Sequence, residues 1–282
     1  MTDRVPAASP GSPARTDAAR ARRSGRRARA ANWPLTGAVL LALIAGWEIV
    51  VRLGLVDERF ISRPVQVVTA LGRLSADPAV RKALVDTIYA LGISFGIGAA
   101  LGLVAGMILG LNTVLREAYL PVVVLLLGIP KTVFLPLFIL FFGMGVTPGI
   151  AFGVLLCSIQ VVVNVIGGVD SVDAVHFRMA RAFGASRLRL FTHVILPGAA
   201  PGIFAGLWHG IRNAFIGVVV AQLFISNVGV GYLVRLYSSN FRIDDALALV
   251  FFIAAVVIAV GMAWEYLERR MSRWKEPAGA RM

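Results

Sequence analysis

The chain has 282 residues, of which 58% are hydrophobic and 15% charged, with a mean hydropathy of +0.79 and a formal net charge of +13. A soluble domain carries about 25% charged residues, so this composition excludes an ordinary soluble globule and fits a chain that crosses a bilayer, where each spanning helix takes about 20 mostly apolar residues. One cysteine, Cys157, and three scattered histidines exclude a disulfide framework and point to no metal site.

Residues 1–31 hold eight arginines and no aromatic residue. They read as a disordered basic tail. Nucleic acid is the ordinary partner of a basic chain. Here the basic residues flank apolar segments instead, which marks the cytoplasmic side of a membrane protein. No nucleic-acid partner is expected. Residues 32–275 read as one transmembrane domain and 276–282 as a C-terminal tail.

Six apolar segments follow in order. The first is Pro34–Leu53, interrupted by Glu48 and Arg52. It is long for a signal-peptide core and lacks a small-residue cleavage site, so a retained anchor is expected. The others are Asp86–Leu111, Ala118–Phe142, Pro148–Val169, Pro197–Ile225 and Ala246–Trp264. Each is long enough to span, and only helices satisfy their own backbone in lipid without closing a barrel. The expected fold is all-α, a polytopic bundle of about six spans. The short 112–117 turn with Arg116 and Glu117, the four-arginine loop at 170–196 and the basic termini are assigned to the cytoplasm, which places both ends of the chain there.

The second span carries Gly98, Gly102, Gly106 and Gly110 on one helical face. A face without side chains admits another helix closely. Lys131 and Arg212 fall near mid-depth of the third and fifth spans, Arg212 beside Asn213 and three residues after His209. Charges there face the bundle interior or a water-filled path. Two roles fit them: lining an anion path, or a structural charge that pairs with Glu48 or a carbonyl, or snorkels. Pro130 and Pro136 bracket Lys131 and interrupt the helix ladder, which is tolerated at membrane depth beside protein or a cavity.

Residues 170–197 are the most informative loop. Val175, Met179, Ala182 and Phe183 are apolar at helical spacing. Gly184 suits a left-handed helix end. Ser186 suits the N-cap of a second helix, with Leu188, Phe191 and Val194 along one face and Pro197 opening the next span. The expectation is a cytoplasmic helix–Gly–helix elbow.

This segment, "DSVDAVHFRMARAFGASRLRLFTHVILPGAAP", resembles the "EAA" loop of bacterial ABC-importer permeases, whose pattern is E-A-A-x-x-x-G, about nine residues, then I-x-L-P. "FISRPVQVVTAL", "GIPKTVFLPLFILFFGMG", "NVGVGYL" and "LERRMSRW" are similar to further family segments, and together they resemble the nitrate/sulfonate/taurine-type branch. Two positions depart. Arg178 stands at the motif Glu, with Met179 after it, and only Ala180 keeps the triplet. Gln222 stands where the branch often has Glu.

The resemblance implies a homodimeric permease embedded in membrane lipid of the bacterial inner membrane. It implies a cytoplasmic ABC ATPase dimer carrying ATP and magnesium, and an extracytoplasmic solute-binding protein. Coupling to the ATPase would fall to Arg178, Met179, Ala180, Gly184, Ala185, Ser186, Leu188, Phe191, Leu196 and Pro197. Candidates for the translocation path are Lys131, His209, Arg212, Asn213 and Gln222. The chain is expected to hold no cofactor and no catalytic site. None of its three lysines follows a glycine, so a phosphate-binding Gly-Lys-Ser/Thr loop is missing. The alternative, a self-sufficient secondary transporter, often carries inverted repeats and buried ionisable relays. The sequence has no evident repeat and few acids in its spans. A membrane enzyme or scaffold lacks a catalytic set. The solute stays open among sulfonate, taurine, nitrate, bicarbonate and neutral heterocycles.

Overall fold

The computed structural model describes residues 37–57 and 60–271, the side chains of 267–271 excepted. The tails expected at 1–31 and 276–282 lie outside that range. Among the described residues every regular element is a helix. The chain divides into two compact units, residues 1–65 and 66–282. In the first, residues 37–52 form α1. The two charges that interrupt this apolar segment neutralise each other, Glu48 accepting from Arg52 Nε at 2.7 Å one turn on.

The stretch between the first two expected spans, residues 54–85, contains a helix, α2 (Pro64–Ser75). α3 (Pro78–Leu111) starts eight residues before the expected Asp86. Asp77 caps it by accepting from Ala79 N at 2.8 Å, and Pro78 suits the first helical position. Arg81 and Lys82 belong to its opening turns and are exposed. α4 (Thr113–Gly128) takes up most of the expected 112–117 turn, capped by Asn112 at Leu115 N.

The third expected span, Ala118–Phe142, is broken. Pro130 disfavours the helical region for the residue before it, and Ile129 is extended with ψ 135°. A 3₁₀ turn, Lys131–Phe134, leads into α5 (Leu135–Phe142), where Pro136 falls in the permissive first turn. The two halves meet at 90°.

α6 (Thr147–Asp170), α7 (Ala174–Ala182) and α8 (Arg187–Leu190) follow. The expected start of the fifth span at Pro197 is also corrected. α8 runs on through a π turn at Phe191–Ile195 into α9 (Leu196–Phe224), one continuous helix from Arg187. Pro197 has no N–H for the ladder, and the Leu196 N–H reaches back five residues to Phe191 O. The last expected loop holds α10 (Val230–Ser239). α11 (Ile243–Met271) outlasts the expected Ala246–Trp264 at both ends.

Four helices are long and apolar enough to cross a membrane: α3, α6, α8 with α9, and α11 through Tyr266. The bent α4–α5 pair makes a fifth if it counts as one span. Among the described residues, then, the six expected crossings become four or five by length and composition.

α6 is the central post, packed most extensively against α9 and α3. Glycines allow both approaches. A Cβ on Gly98, Gly102, Gly106 or Gly110 of α3 would lie 2.6, 2.6, 2.7 or 3.0 Å from the Cβ of Cys157, Val161, Val165 or Val169. These partners share the same spacing of four on α6. On its other side α6 meets a second small-residue face, on α9. A Cβ on Gly202 would lie 2.3 Å from Gly168 Cα, and one on Gly217 would lie 2.8 Å from Gly153 Cα. Backbone thus touches backbone, which gives apolar helices close dispersion contact where lipid offers no hydrophobic drive.

Candidate functional site

The elbow is built locally. Asp173 caps α7 by accepting from Val175 N at 2.8 Å. At the other end Ala185 N donates to Ala180 O and Gly184 N to Arg181 O, both at 3.0 Å. With Gly184 at φ 73°, these two bonds form a Schellman end, the six-to-one and five-to-two pattern that a left-handed residue permits. Ser186 Oγ then accepts from Arg189 N at 3.4 Å to open α8.

The expected apolar face of α8 is shifted. Leu190 and Ile195 are the buried positions, while Leu188 is 72% exposed and Phe191 and Val194 are half-buried. Outward the elbow shows Arg178, Met179, Ser186, Leu196, Pro197 and an 87%-exposed Phe183, with Ala180 and Ala185 half-buried. Its two legs are gripped just behind it. Gly168 and Gly202 touch there, and Gly198 lies against Val172. Arg116 of α4 pairs with Asp170 through both carboxylate oxygens.

The expected path residues do not gather in one place. Lys131 sits at the α4–α5 break and donates to Leu127 O at 3.2 Å. Asn213 Nδ2 is spent on His209 O of its own helix at 2.9 Å. Arg212 is exposed, its guanidinium 5.8 Å from the centroid of the Trp208 ring, and Trp208 stacks on Trp264 of α11 at 5.9 Å.

Gln222 has another setting. It is 1% exposed, and Gly229 (φ 91°) and Gly231 press on it. Its Oε1 accepts from Gly231 N at 3.2 Å and from Thr87 Oγ1 of α3 at 3.0 Å. Thr87 Oγ1 shares its proton with Ala83 O at 2.9 Å and accepts from Val230 N at 3.0 Å. Gln222 therefore clasps α9, α3 and the start of α10, where sequence reading placed it on a path. Thr87→Val would strand a buried Val230 N–H, a cost of about 1–3 kcal/mol. A clearly lower thermal midpoint is expected for purified Thr87→Val, with Thr87→Ser close to wild type.

Beside this clasp Ser226 Oγ donates to Gly145 O at 2.8 Å, and Arg235 donates to Phe224 O and Ser226 O at 2.9 and 2.7 Å. Asp245, 1% exposed, accepts from Arg73 Nη2 at 2.5 Å and from Arg242 Nε at 2.7 Å. Those bonds, with Asp244, hold the Arg73 guanidinium above its ordinary range. Sequence reading missed Thr87 and Asp245. The only signal was an acidic pair opening an apolar helix. Among the described residues no group of three or more His, Cys, Asp or Glu can hold a metal.

A long apolar helix set, an exposed helix–Gly–helix elbow fused to two spans and close glycine packing define a membrane permease subunit. The family of binding-protein-dependent transport system inner membrane components matches residues 98–273, and the chain belongs to it. These are permeases of ABC importers, of the nitrate/sulfonate/taurine branch. The taurine transport system permease protein TauC of Escherichia coli is 28% identical, covering 86% of this chain and 92% of that one. The putative aliphatic sulfonates transport permease protein SsuC of Bacillus subtilis is 31% identical, covering 83% and 84%. Among solved structures, the inward-facing MetNI methionine ABC transporter aligns with a TM-score of 0.60 at 17% identity, covering 67% of this chain and 94% of that one. The chain is thus a multi-pass inner membrane protein, a transport component whose family implies ATPase and solute-binding partners.

Proposed function

We propose that the chain is the permease subunit of an ATP-driven importer of a small organic or inorganic anion. Two copies form the pore in membrane lipid. The elbow sits in a cleft of the ABC ATPase dimer, which holds ATP and magnesium. An extracytoplasmic binding protein delivers the solute, and alternating access moves it inward. Residues 32–275 form the transmembrane domain, and the tails 1–31 and 276–282 face the cytoplasm. The observation that carries this reading is the elbow's attachment. Its legs are α6 and the α8–α9 helix, which touch backbone to backbone at Gly168 and Gly202. A push on the elbow therefore moves two spans as one body.

The anion assignment rests on the sign of the charges within the spans, Lys131 and Arg212, and on relatives named for taurine, aliphatic sulfonates and nitrate. Reconstitution in vesicles with an ATPase and a binding protein tests it. Uptake that requires ATP hydrolysis is expected, and uptake by the chain alone would overturn the reading. Lys131→Ala and Arg212→Ala are each expected to slow uptake of an anionic solute by about tenfold, the equivalent of ~1.4 kcal/mol of lost ion pairing. Unchanged initial rates in both would return these residues to structural roles.

A further inference from the structure

The two halves of the broken span are held in different ways. α5 is seated in the core. Its Leu135 is buried in a cluster with Phe152, Leu156 and Ala221, and Phe138 meets the Phe152 ring edge-on at 5.3 Å. α4 has no buried residue, and its Val114, Tyr119, Val122 and Val124 are each more than half exposed. Among the described residues its one side-chain hydrogen-bonded link to another helix is the fork from Arg116 to both carboxylate oxygens of Asp170, the last residue of α6. Electrostatics within each helix oppose this pair. Arg116 closes the first turn of α4, at the positive end of that macrodipole, and Asp170 ends α6, at the negative end of its own. Each charge is disfavoured by its own helix and neutralised only by the other. The side chains are 30% and 40% exposed, and a pair so solvated adds little to stability. Two parallel donors on two oxygens do fix a direction.

We infer that Arg116 and Asp170 are positioning residues that clamp the break in the third expected span, so that α4 and α5 travel rigidly with the elbow; the inference rests on the importer reading and adds a third moving element to it. The break is a joint. A Cβ on Gly128 would meet nothing within 4 Å, Ile129 is extended, and Pro130 has no N–H to continue the ladder. A few such residues absorb a hinge rotation readily. The clamp works because α6 holds both arms of the joint. It holds α5 at Phe152 and α4 at Asp170, eighteen residues further on and about 27 Å along the helix at a rise of 1.5 Å per residue. Asp170 is also the root of the elbow, three residues before the Asp173 cap of α7. When the elbow moves α6, the fork takes α4 with it. Without the fork the joint flexes and α4 lags. Lys131, whose Nζ donates to Leu127 O across the joint at 3.2 Å, keeps its direction only while the joint is closed.

The test uses spin labels on the full chain in nanodiscs of phosphatidylcholine. Val122→Cys on α4 and Leu140→Cys on α5 take the labels, both sites being exposed, while the native Cys157 is 0% exposed and shielded. Dilution with unlabelled chain isolates distances within one copy. A narrow Val122–Leu140 distribution is expected. Arg116→Gln and Asp170→Asn each broaden it, and the exchanged pair Arg116→Asp with Asp170→Arg, which suits both macrodipoles, narrows it again. Single variants that stay narrow, or an exchange that stays broad, would overturn the inference. So would loss of monodisperse protein in the single variants, since the pair would then hold the fold and not the joint. The second arm adds the ATPase and reads the distance between the Val122 labels of the two copies. ATP and magnesium with orthovanadate should shift it in the otherwise unmodified chain. Arg116→Gln should lose that shift while ATP hydrolysis persists, and the exchanged pair should regain it. An equal shift in Arg116→Gln refutes the clamp. The two readings fail separately: the first arm needs no ATPase, so a clamped joint in a chain that takes up solute without ATP refutes the importer alone.

Discussion

Gly202→Val is expected to abolish the folded bundle, seen as loss of monodisperse protein after detergent extraction. A Cβ at Gly202 would lie 2.3 Å from Gly168 Cα, 2.8 Å from Gly168 N and 2.9 Å from Asn164 O. All three are backbone atoms, so no rotamer change relieves the clash. α6 and α9 would have to separate. Overpacking a core with adaptable side chains typically costs about 1–3 kcal/mol. Here the helices lose a shared face along their length, and the expected cost exceeds that range. The control is one residue away from the partner glycine. Gly167 has nothing within 4 Å of a built Cβ, so Gly167→Val should extract and melt like the unmodified chain, while Gly168→Val should fail like Gly202→Val. Normal folding of both Gly202→Val and Gly168→Val would remove the close contact from the account.

Gly184→Val is expected to leave insertion and folding intact and to uncouple ATP hydrolysis from uptake. A Cβ there meets nothing within 4 Å, yet Gly184 stands at φ 73°. The penalty is therefore conformational, about 1–2 kcal/mol for an L-residue in the left-handed region and more for a β-branched one. It falls on the Schellman end alone. The α7 end would unwind or re-aim, and Phe183 and Met179, both outward, would no longer be presented in one fixed place. In reconstituted vesicles ATPase activity should persist while uptake falls by about tenfold or more, a cost of ~1.4 kcal/mol in coupling. Asn tolerates this region by bonding locally, so Gly184→Asn should recover most uptake. Full uptake by Gly184→Val would count against the elbow as the coupling element.

Much of the fold was legible because two local rules are strong. Apolar runs of sufficient length mark spans, and Gly or Ser at a helix end marks a cap. Gly184 and Ser186 were found this way, as was the α3 glycine face. The errors share a cause, since each boundary depended on a backbone detail. Pro130 divided one expected span at 90°. Pro197, expected to open another, was passed over by a single longer hydrogen bond from Leu196. Arg81 and Lys82, ahead of the expected span start at Asp86, fell inside a capped helix.

The sequence alone determined that the chain lives in a bilayer, that it is helical, and that an elbow joins two of its spans, because hydropathy, helix period and positive-φ chemistry are properties of neighbouring residues. Only the tertiary structure decided what the spans do to one another. Gly202 and Gly217 resemble any membrane-helix glycine until α6 arrives against them. Gln222 and Arg212 are both polar residues in one apolar helix, ten positions apart. One is closed in a clasp with Thr87, while the other is exposed, its guanidinium over the Trp208 ring. That difference is set by contacts across more than a hundred residues, which no local pattern encodes.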